Sequence, residues 1–384
     1  MSNQSEIEMS KWDIETLIKD EHWPFELSPP DTKTFDVISV GHAVVDIMIN
    51  TTDEQLSLIT NSKGTMQLAD SPKIGEEFVS KLITANSDLE ITRTSGGSAG
   101  NTTYTLAKLG LRVGFLGTVL NDELGNLYVN GLRDSSVTCF FEPKEVDEIL
   151  TIETSSLEAI PELATGRCNV FITPDKDRTM LTYLGASSYF DLQDIDNLDI
   201  SQSQMLYLEG YLFDSKNGAG VLRKSVDIAN ITGSIVSLSL SDPFVVERYK
   251  DLIAELIEDR KITLLFGNLS EAQILCGYDE LPKIVEYFSD KRQLAVITNG
   301  SKGSYCIYDN KVCYCPAIDT VDVVDTTGAG DIFASGVIFG CLRGYTISKS
   351  LELGTLLAKE VIEHIGPRPA SNPEMLAKQA GFEV

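Results

Sequence analysis

The sequence predicts an α/β fold in which a central, mostly parallel sheet is flanked by helices and carries a small β lid. Two observations predict the body: β-branched apolar runs recur along the chain, and helical patterns lie between most of them. Strands that alternate with helices form parallel sheets wrapped by helices. A third observation predicts the lid, because two stretches, 51–93 and 166–190, break that alternation with short strand-like pieces.

Taken in order, residues 1–34 read as an N-terminal arm and linker. In "KWDIETLIKD", Trp12, Ile14, Leu17 and Ile18 fall on one side of a short helix, and "LSPPDTKT" follows as the linker. The arm is expected to pack on the body or on a second subunit. A catalytic-domain-sized unit then spans 35–384. "FDVISVGHAVVDIMI" from Phe35 is a nearly continuous β-branched run, as suits a strand buried on both faces. Similar runs recur at "RVGFLGTV", "QMLYLEGYLF", "SIVSLSL", "ITLLFGN" and "QLAVITNG", with helical patterns at 99–109, 218–230 and 245–257. The lid is expected from parts of 47–95 and 166–190, where "PDKD" inside "CNVFITPDKDRTMLTYLG" reads as a hairpin turn. The chain has no internal repeat and no low-complexity tract.

Composition narrows the partners. With 57 acidic against 31 basic residues, the formal charge is −26, which opposes binding of nucleic acid or anionic membrane. An anionic ligand must then be held by a local device, such as backbone N–H groups or a metal ion. Seven scattered cysteines and the lack of a secretory-type leader predict reduced thiols and a cytoplasmic protein. Cys313 and Cys315 read as strand filler, and the three histidines (His22, His42, His364) are too dispersed for a histidine metal site. No apolar run reaches membrane-spanning length.

Four motifs could carry chemistry. In "DTTGAGD", Gly328 and Gly330 precede the apolar run "IFASGVIFG", which puts successive N–H groups at a helix N-terminus, where negative charge is favoured. Asp331 falls in the first helical turn, either beside an anion hole or merely stabilising the helix start. "NGAGVL" at 217–222 repeats the glycines with Val221 in place of the carboxylate and reads as a plain helix entry. In "TSGGSAGNTTYTLAKLG", Gly96 and Gly97 permit close ligand approach and Asn101 offers both donor and acceptor to vicinal hydroxyls; a simple glycine turn would look the same. Asp46, a carboxylate in a core-like strand, needs hydrogen-bond partners, from a polyol ligand or from a backbone loop. In "FGNLSEAQIL", Asn268 and Glu271 follow a strand end, so Glu271 reads as a magnesium holder or as an ordinary first-turn acid. "ITNGSKGS", with Thr298, Gly300 and Gly303, is a further strand-end turn able to line a nucleotide pocket. P-loop, dinucleotide and protein-kinase signatures are absent.

The order "GGSAGNT", "NLSE", "TNGSKG", "DTTGAGD" resembles the ribokinase-like family, the PfkB carbohydrate kinases, from Phe35 to about Pro369. The resemblance implies a ribokinase-like fold and ATP-dependent phosphorylation of a primary hydroxyl. It implies Asp331 as the base, with Thr327, Gly328, Ala329 and Gly330 as the anion hole. Asp46, Gly96, Gly97 and Asn101 correspond to acceptor-binding positions. Asn268, Thr298, Gly300, Gly303 and Thr327 fall on the ATP side, with Glu271 and Asp325 toward the metal. ATP and Mg2+ are the implied co-substrate and cofactor; dependence on a monovalent cation such as K+, and the choice between monomer and homodimer, stay open.

"TGRCNVFITPDKDRTMLTYLGAS", "LYLEGYLF" and "SLSDPF" look most like the adenosine kinase-like branch, which puts adenosine first as acceptor. A free sugar such as ribose or fructose is the alternative, and a non-catalytic ligand-binding regulator a second one. Phe171, Tyr183, Tyr189 and Phe190 could stack on a purine or pack within the lid. Three departures bear on the acceptor: His42 replaces a common asparagine, Gly100 a common alanine, and Thr327 the asparagine of many eukaryotic adenosine kinases.

Overall fold

β-Branched runs buried on both faces pair in parallel because helices cover each side of the sheet. In the computed structural model, which describes residues 21–29, 32–60, 63–85, 91–150, 163–175, 177–189, 191–319 and 322–384, this produces two sheets. Strands β1 (Phe35–Val40), β5 (Val113–Leu116), β6 (Thr138–Cys139), β9 (Ser203–Glu209), β10 (Ile235–Ser239), β11 (Leu264–Asn268), β12 (Leu294–Thr298), β13 (Ser304–Tyr308) and β14 (Lys311–Cys315) form the body. Their order is β14-β13-β12-β11-β10-β9-β1-β5-β6. Pairing is parallel from β12 through β6, while β13 and β14 extend the sheet antiparallel. Helices Ser98–Lys108, Gly218–Ile231 and Pro243–Glu258 occupy the three expected helical stretches.

The second sheet runs β3-β8-β7-β2-β4, from β2 (Val44–Asn50), β3 (Met66–Leu68), β4 (Ile91–Ser95), β7 (Gly166–Ile172) and β8 (Arg178–Tyr183). Strands β7 and β8 form the hairpin expected around "PDKD", with Ile172 opposite Arg178. Register places Val44 beside Gly166, Val45 beside Ser95 and Arg167 beside Tyr183. The four strand ends that lead to the body therefore gather at one end of this sheet.

Two expectations need correction. The run from Phe35 to Ile49 is two strands in two sheets, broken at residues 41–43. A Cβ on Gly41 would lie 2.6 Å from the Ala99 Cβ, so the chain turns where only glycine fits. Both halves are buried strands, so composition does not change where the sheet does. Within 51–93, the largest element is a helix, Pro72–Ala85, and not a strand. Its Phe78 and Leu82, one turn apart, are buried, and Phe78 meets Phe171 edge-on at 5.3 Å between ring centroids.

The helical stretch at Trp12–Ile18 lies outside the described residues. Residues 21–29 pack on the body: the Ile347 amide donates to the Glu21 carbonyl (2.8 Å) and buried Trp23 donates to Ser350 Oγ (3.2 Å). Helices Ala329–Leu342 and Ile347–Ile362 approach so closely that a Cβ on Gly336 would stand 2.6 Å from Gly354. All seven cysteines are free, and Cys313 and Cys315 lie on β14 as expected. Among the described residues, no helix is long and apolar enough to cross a membrane.

Candidate active site

The "DTTGAGD" loop takes its shape from Gly328, at φ +74°, where a Cβ would run into Pro367. Beyond it the helix Ala329–Leu342 begins. Among the described residues the amides of Gly328, Gly330 and Asp331 have no protein acceptor, and a Cβ on Gly330 would meet nothing within 4 Å. Ala329 N–H makes only a long bond to Thr326 O (3.3 Å), and buried Thr327 Oγ1 has no partner. A helix start with free donors facing open space is able to hold an anion.

Asp331 lies in the first turn and faces the same space. Ser98 Oγ donates to its Oδ1 (2.6 Å) and Asn101 Nδ2 to its Oδ2 (3.3 Å). Burial pushes its carboxyl up to about 6, with both hydrogen bonds opposing the rise. Ser98 and Asn101 are three apart on helix Ser98–Lys108 and so share one face. The glycines before that helix are sterically required: a Cβ on Gly96 would overlap the Asp46 carboxylate, and one on Gly97 (φ +77°) the His42 carbonyl. Asp46, 7% exposed on β2, is pushed up to about 7, chiefly by burial, with Arg368 opposing. Its carboxylate lines the cavity as an acceptor awaiting donors.

The cavity has a volume of about 580 Å³ and lies between the body's strand ends and the second sheet. Of the expected residues, Asp331, Gly328, Gly330, Thr327, Asp46, Gly97, Asn101, Asn268, Glu271 and Thr298 line it. Asn268 and Glu271 hold each other in a capping box: Asn268 N and Nδ2 donate to Glu271 (2.9 and 2.7 Å), and Glu271 N donates back to Asn268 Oδ1 (2.9 Å). Glu271 is 4% exposed and pushed up to about 7 by burial. It is thus both a first-turn cap and a cavity carboxylate. Its spare lone pairs fit a hydrated divalent cation held through water, as Mg2+ is commonly held.

Other expected residues are placed differently. Asp325 does not fit a metal ligand: it is 3% exposed, ion-paired with Arg178 Nη1 (2.8 Å), and accepts from the Thr327 (2.7 Å) and Gly366 (2.9 Å) amides. It braces the loop. Gly300 and Gly303 (φ +52° and +92°) shape the β12–β13 turn and not the cavity wall, since a Cβ on Gly303 would strike Cys315 O. Ala329 and Gly96 are not among the lining residues, and Gly96 lies directly against the Asp46 carboxylate. The stacking expectation fails for Phe171 and Tyr183, which are buried in the second sheet, and for Tyr189, which lies under Lys216 (4.2 Å). Phe190 lies outside the described residues.

Sequence reasoning missed four contributors. Ser98 was legible as Asn101's partner at i,i−3. Arg178, beside the turn of the β7–β8 hairpin, reaches across to Asp325 and donates to Thr326 Oγ1 (2.8 Å). Glu209, 0% exposed at the end of β9, accepts from the His42 and Ala99 amides, both at 2.7 Å, with its carboxyl raised to about 8 by burial. Arg368 donates to Asn101 Oδ1 (3.2 Å). His42 itself bonds Ser187 Oγ (2.9 Å) and Tyr211 O (3.1 Å) and is held neutral, its value lowered to about 4 by burial.

A parallel α/β body, a second sheet across its strand ends, and a carboxylate beside a free-amide helix start define a ribokinase-like phosphotransferase. Residues 76–375 match the pfkB family carbohydrate kinase pattern, and the chain belongs to that family. It is 24% identical over 352 residues to adenosine kinase of Saccharomyces cerevisiae, covering 87% of this chain and 96% of that one. It is also 24% identical over 288 residues to 5-dehydro-2-deoxygluconokinase of Geobacillus kaustophilus (71% and 80% covered). The crystal structure of adenosine kinase from Sinorhizobium meliloti superimposes with a TM-score of 0.80 at 31% identity, covering 91% of this chain and 100% of that one. The protein is therefore a kinase with an alcohol group as acceptor.

Proposed function

We propose that this kinase transfers the γ-phosphoryl group of ATP to the primary hydroxyl of a nucleoside, adenosine foremost. The observation that carries the reading is Asp331, held by Ser98 and Asn101 and facing the same space as the unoccupied amides of Gly328 and Gly330. Asp331 accepts the hydroxyl proton as that oxygen attacks phosphorus. The amides stabilise charge on the transferring group, which needs positioning and electrostatics more than covalent help. Mg2+, when bound, would neutralise phosphate charge, and Asn268 with Glu271 would hold it through water. Asp46 and Asn101 supply acceptors and donors for ribose hydroxyls.

Support for adenosine as acceptor comes from the second sheet's contribution to the wall. Val44, Met66, Leu68, Cys168, Met180 and Leu184 present an apolar, partly sulfur-bearing surface. Such a surface suits the face of a purine, and methionines adapt to flat ligands. A gluconate-type acceptor carries a carboxylate, which a cation in this wall would favour. Among the described lining residues Arg178 is the one such group, and Asp325 already engages it. A free neutral sugar is the second reading, favoured because the second sheet's described lining residues include no aromatic side chain. The test is ADP release in a coupled assay with Mg2+ over nucleosides, neutral sugars and sugar acids. Adenosine is expected to give the highest kcat/KM; a sugar acid in first place would overturn the acceptor assignment, and acceptor-independent ADP release the transfer itself.

A further inference from the structure

We propose that Arg368 is a positioning residue that fixes the orientation of the Asn101 amide and, through it, the catalytic base. The inference rests on the reading of Asp331 as that base. An asparagine amide has a donor end and an acceptor end, and only its surroundings decide which way it points. Arg368 Nε donates to Asn101 Oδ1 (3.2 Å), which leaves Nδ2 to face Asp331 Oδ2 (3.3 Å). Reversal would set the amide oxygen against a carboxylate and the NH2 against a guanidinium, which is unfavourable at both ends.

Arg368 is itself held on three sides. Its Nη1 donates to Ser95 Oγ (2.6 Å), and its guanidinium lies over the Tyr104 ring at 4.3 Å. Its Nη2, buried, has no partner among the described residues. Leaving a guanidinium N–H unpaired is costly, and a purely structural role could be met by a residue without that donor. The two residues before it brace the other half of the site. Gly366 N–H donates to Asp325 Oδ2 (2.9 Å), and Pro367 lies against Gly328. One short segment after helix Ile347–Ile362 thus holds both the anion loop and the residue that orients the base.

The test uses the full chain, ATP, and the acceptor on which the wild type turns over in the panel above. Arg368→Ala, Arg368→Lys and Asp331→Asn are compared for kcat, both KM values and melting temperature. Loss of the charged hydrogen bond to Asn101 predicts a kcat for Arg368→Ala lower by about 10- to 100-fold, with the KM for ATP within about twofold of wild type. Added guanidinium at non-denaturing concentration is expected to recover part of kcat, and ammonium is not. Arg368→Lys is expected to stay impaired, since a single ammonium lacks the planar fork that reaches Asn101 and Ser95 together. It also carries the test where the alanine variant does not fold. A folded Arg368 variant with wild-type kcat, or a loss that guanidinium does not relieve, overturns the proposal. Wild-type-like turnover in Asp331→Asn would instead overturn the reading of the base.

Discussion

Replacing Asp331 by asparagine separates chemistry from stability. The carboxyl is raised from 3.8 to about 6, mainly by burial. That rise corresponds to at most about 3 kcal/mol against the ionised form, since the side chain faces a water-accessible cavity. Because the folded value lies above the unfolded one, the group's contribution to stability is present below about pH 4 and lost as pH rises through about 6. Asp331→Asn removes this burden. It keeps an acceptor for Ser98 and sacrifices only the longer bond from Asn101. The variant is therefore expected to melt at or above the wild-type temperature near pH 8, with the advantage vanishing toward pH 4. Turnover should fall about 10²- to 10⁴-fold, as loss of a general base does. Wild-type kcat should fall as pH drops through about 6, along a limb shared with Asp46 and Glu271, both raised to about 7. Coupled ADP release and thermal melts across about pH 5 to 9 measure both. Near-normal turnover, or a variant clearly less stable near pH 8, refutes the reasoning.

Glu209→Gln places an NH2 against one of two backbone amides that now donate to the carboxylate. A buried amide left unpaired costs about 1–3 kcal/mol, so the urea midpoint should drop accordingly; an unchanged midpoint would mean the two bonds do not hold this junction. Arg178→Met leaves buried Asp325 without its cation. A loss of about 3 kcal/mol or more is expected by chemical denaturation, together with reduced kcat, whereas wild-type values for both would show that the ion pair does not shape the anion loop.

The residues legible in the sequence are those whose partners are close along the chain. Gly328, Gly330 and Asp331 follow from the geometry of a helix start, and Asn101 with its glycines from the start of another. Strand alternation reveals the body sheet because each run is long enough to bury itself on both faces. What the sequence leaves hidden is made by contacts between distant residues. Asp325 looks like a free acid in a motif, yet Arg178 and Gly366 claim its oxygens. Arg178 and Arg368 stand in no local pattern, and Glu209 ends a run that otherwise reads as core. Phe171 and Tyr183 look like ligand-stacking groups by type, and only the register of β7 and β8 shows them turned into the second sheet. The switch between sheets at Gly41 leaves no trace in hydropathy, since both sides of it are buried strand.

The charge balance gives the site its character. Asp46, Asp177, Asp214, Glu209, Glu271 and Asp331 line the cavity, and among the described lining residues Arg178 is the one cation, since His42 is held neutral. Four of these acids are raised toward or past neutrality, so part of the negative charge is held off by protons near pH 7. A polyanion entering such a space would meet attraction chiefly at the helix start, where free amides act at hydrogen-bond range, and beside it at Arg178. The same negative charge favours any cation that arrives with it, because the carboxylates gain an electrostatic partner in place of a proton. A strongly acidic protein can in this way accept a phosphate-bearing ligand without a basic patch. Under the proposed function, the aim of these amide hydrogens, set by Gly328, Asp325 and Gly366, would decide where the phosphoryl group lies relative to Asp331.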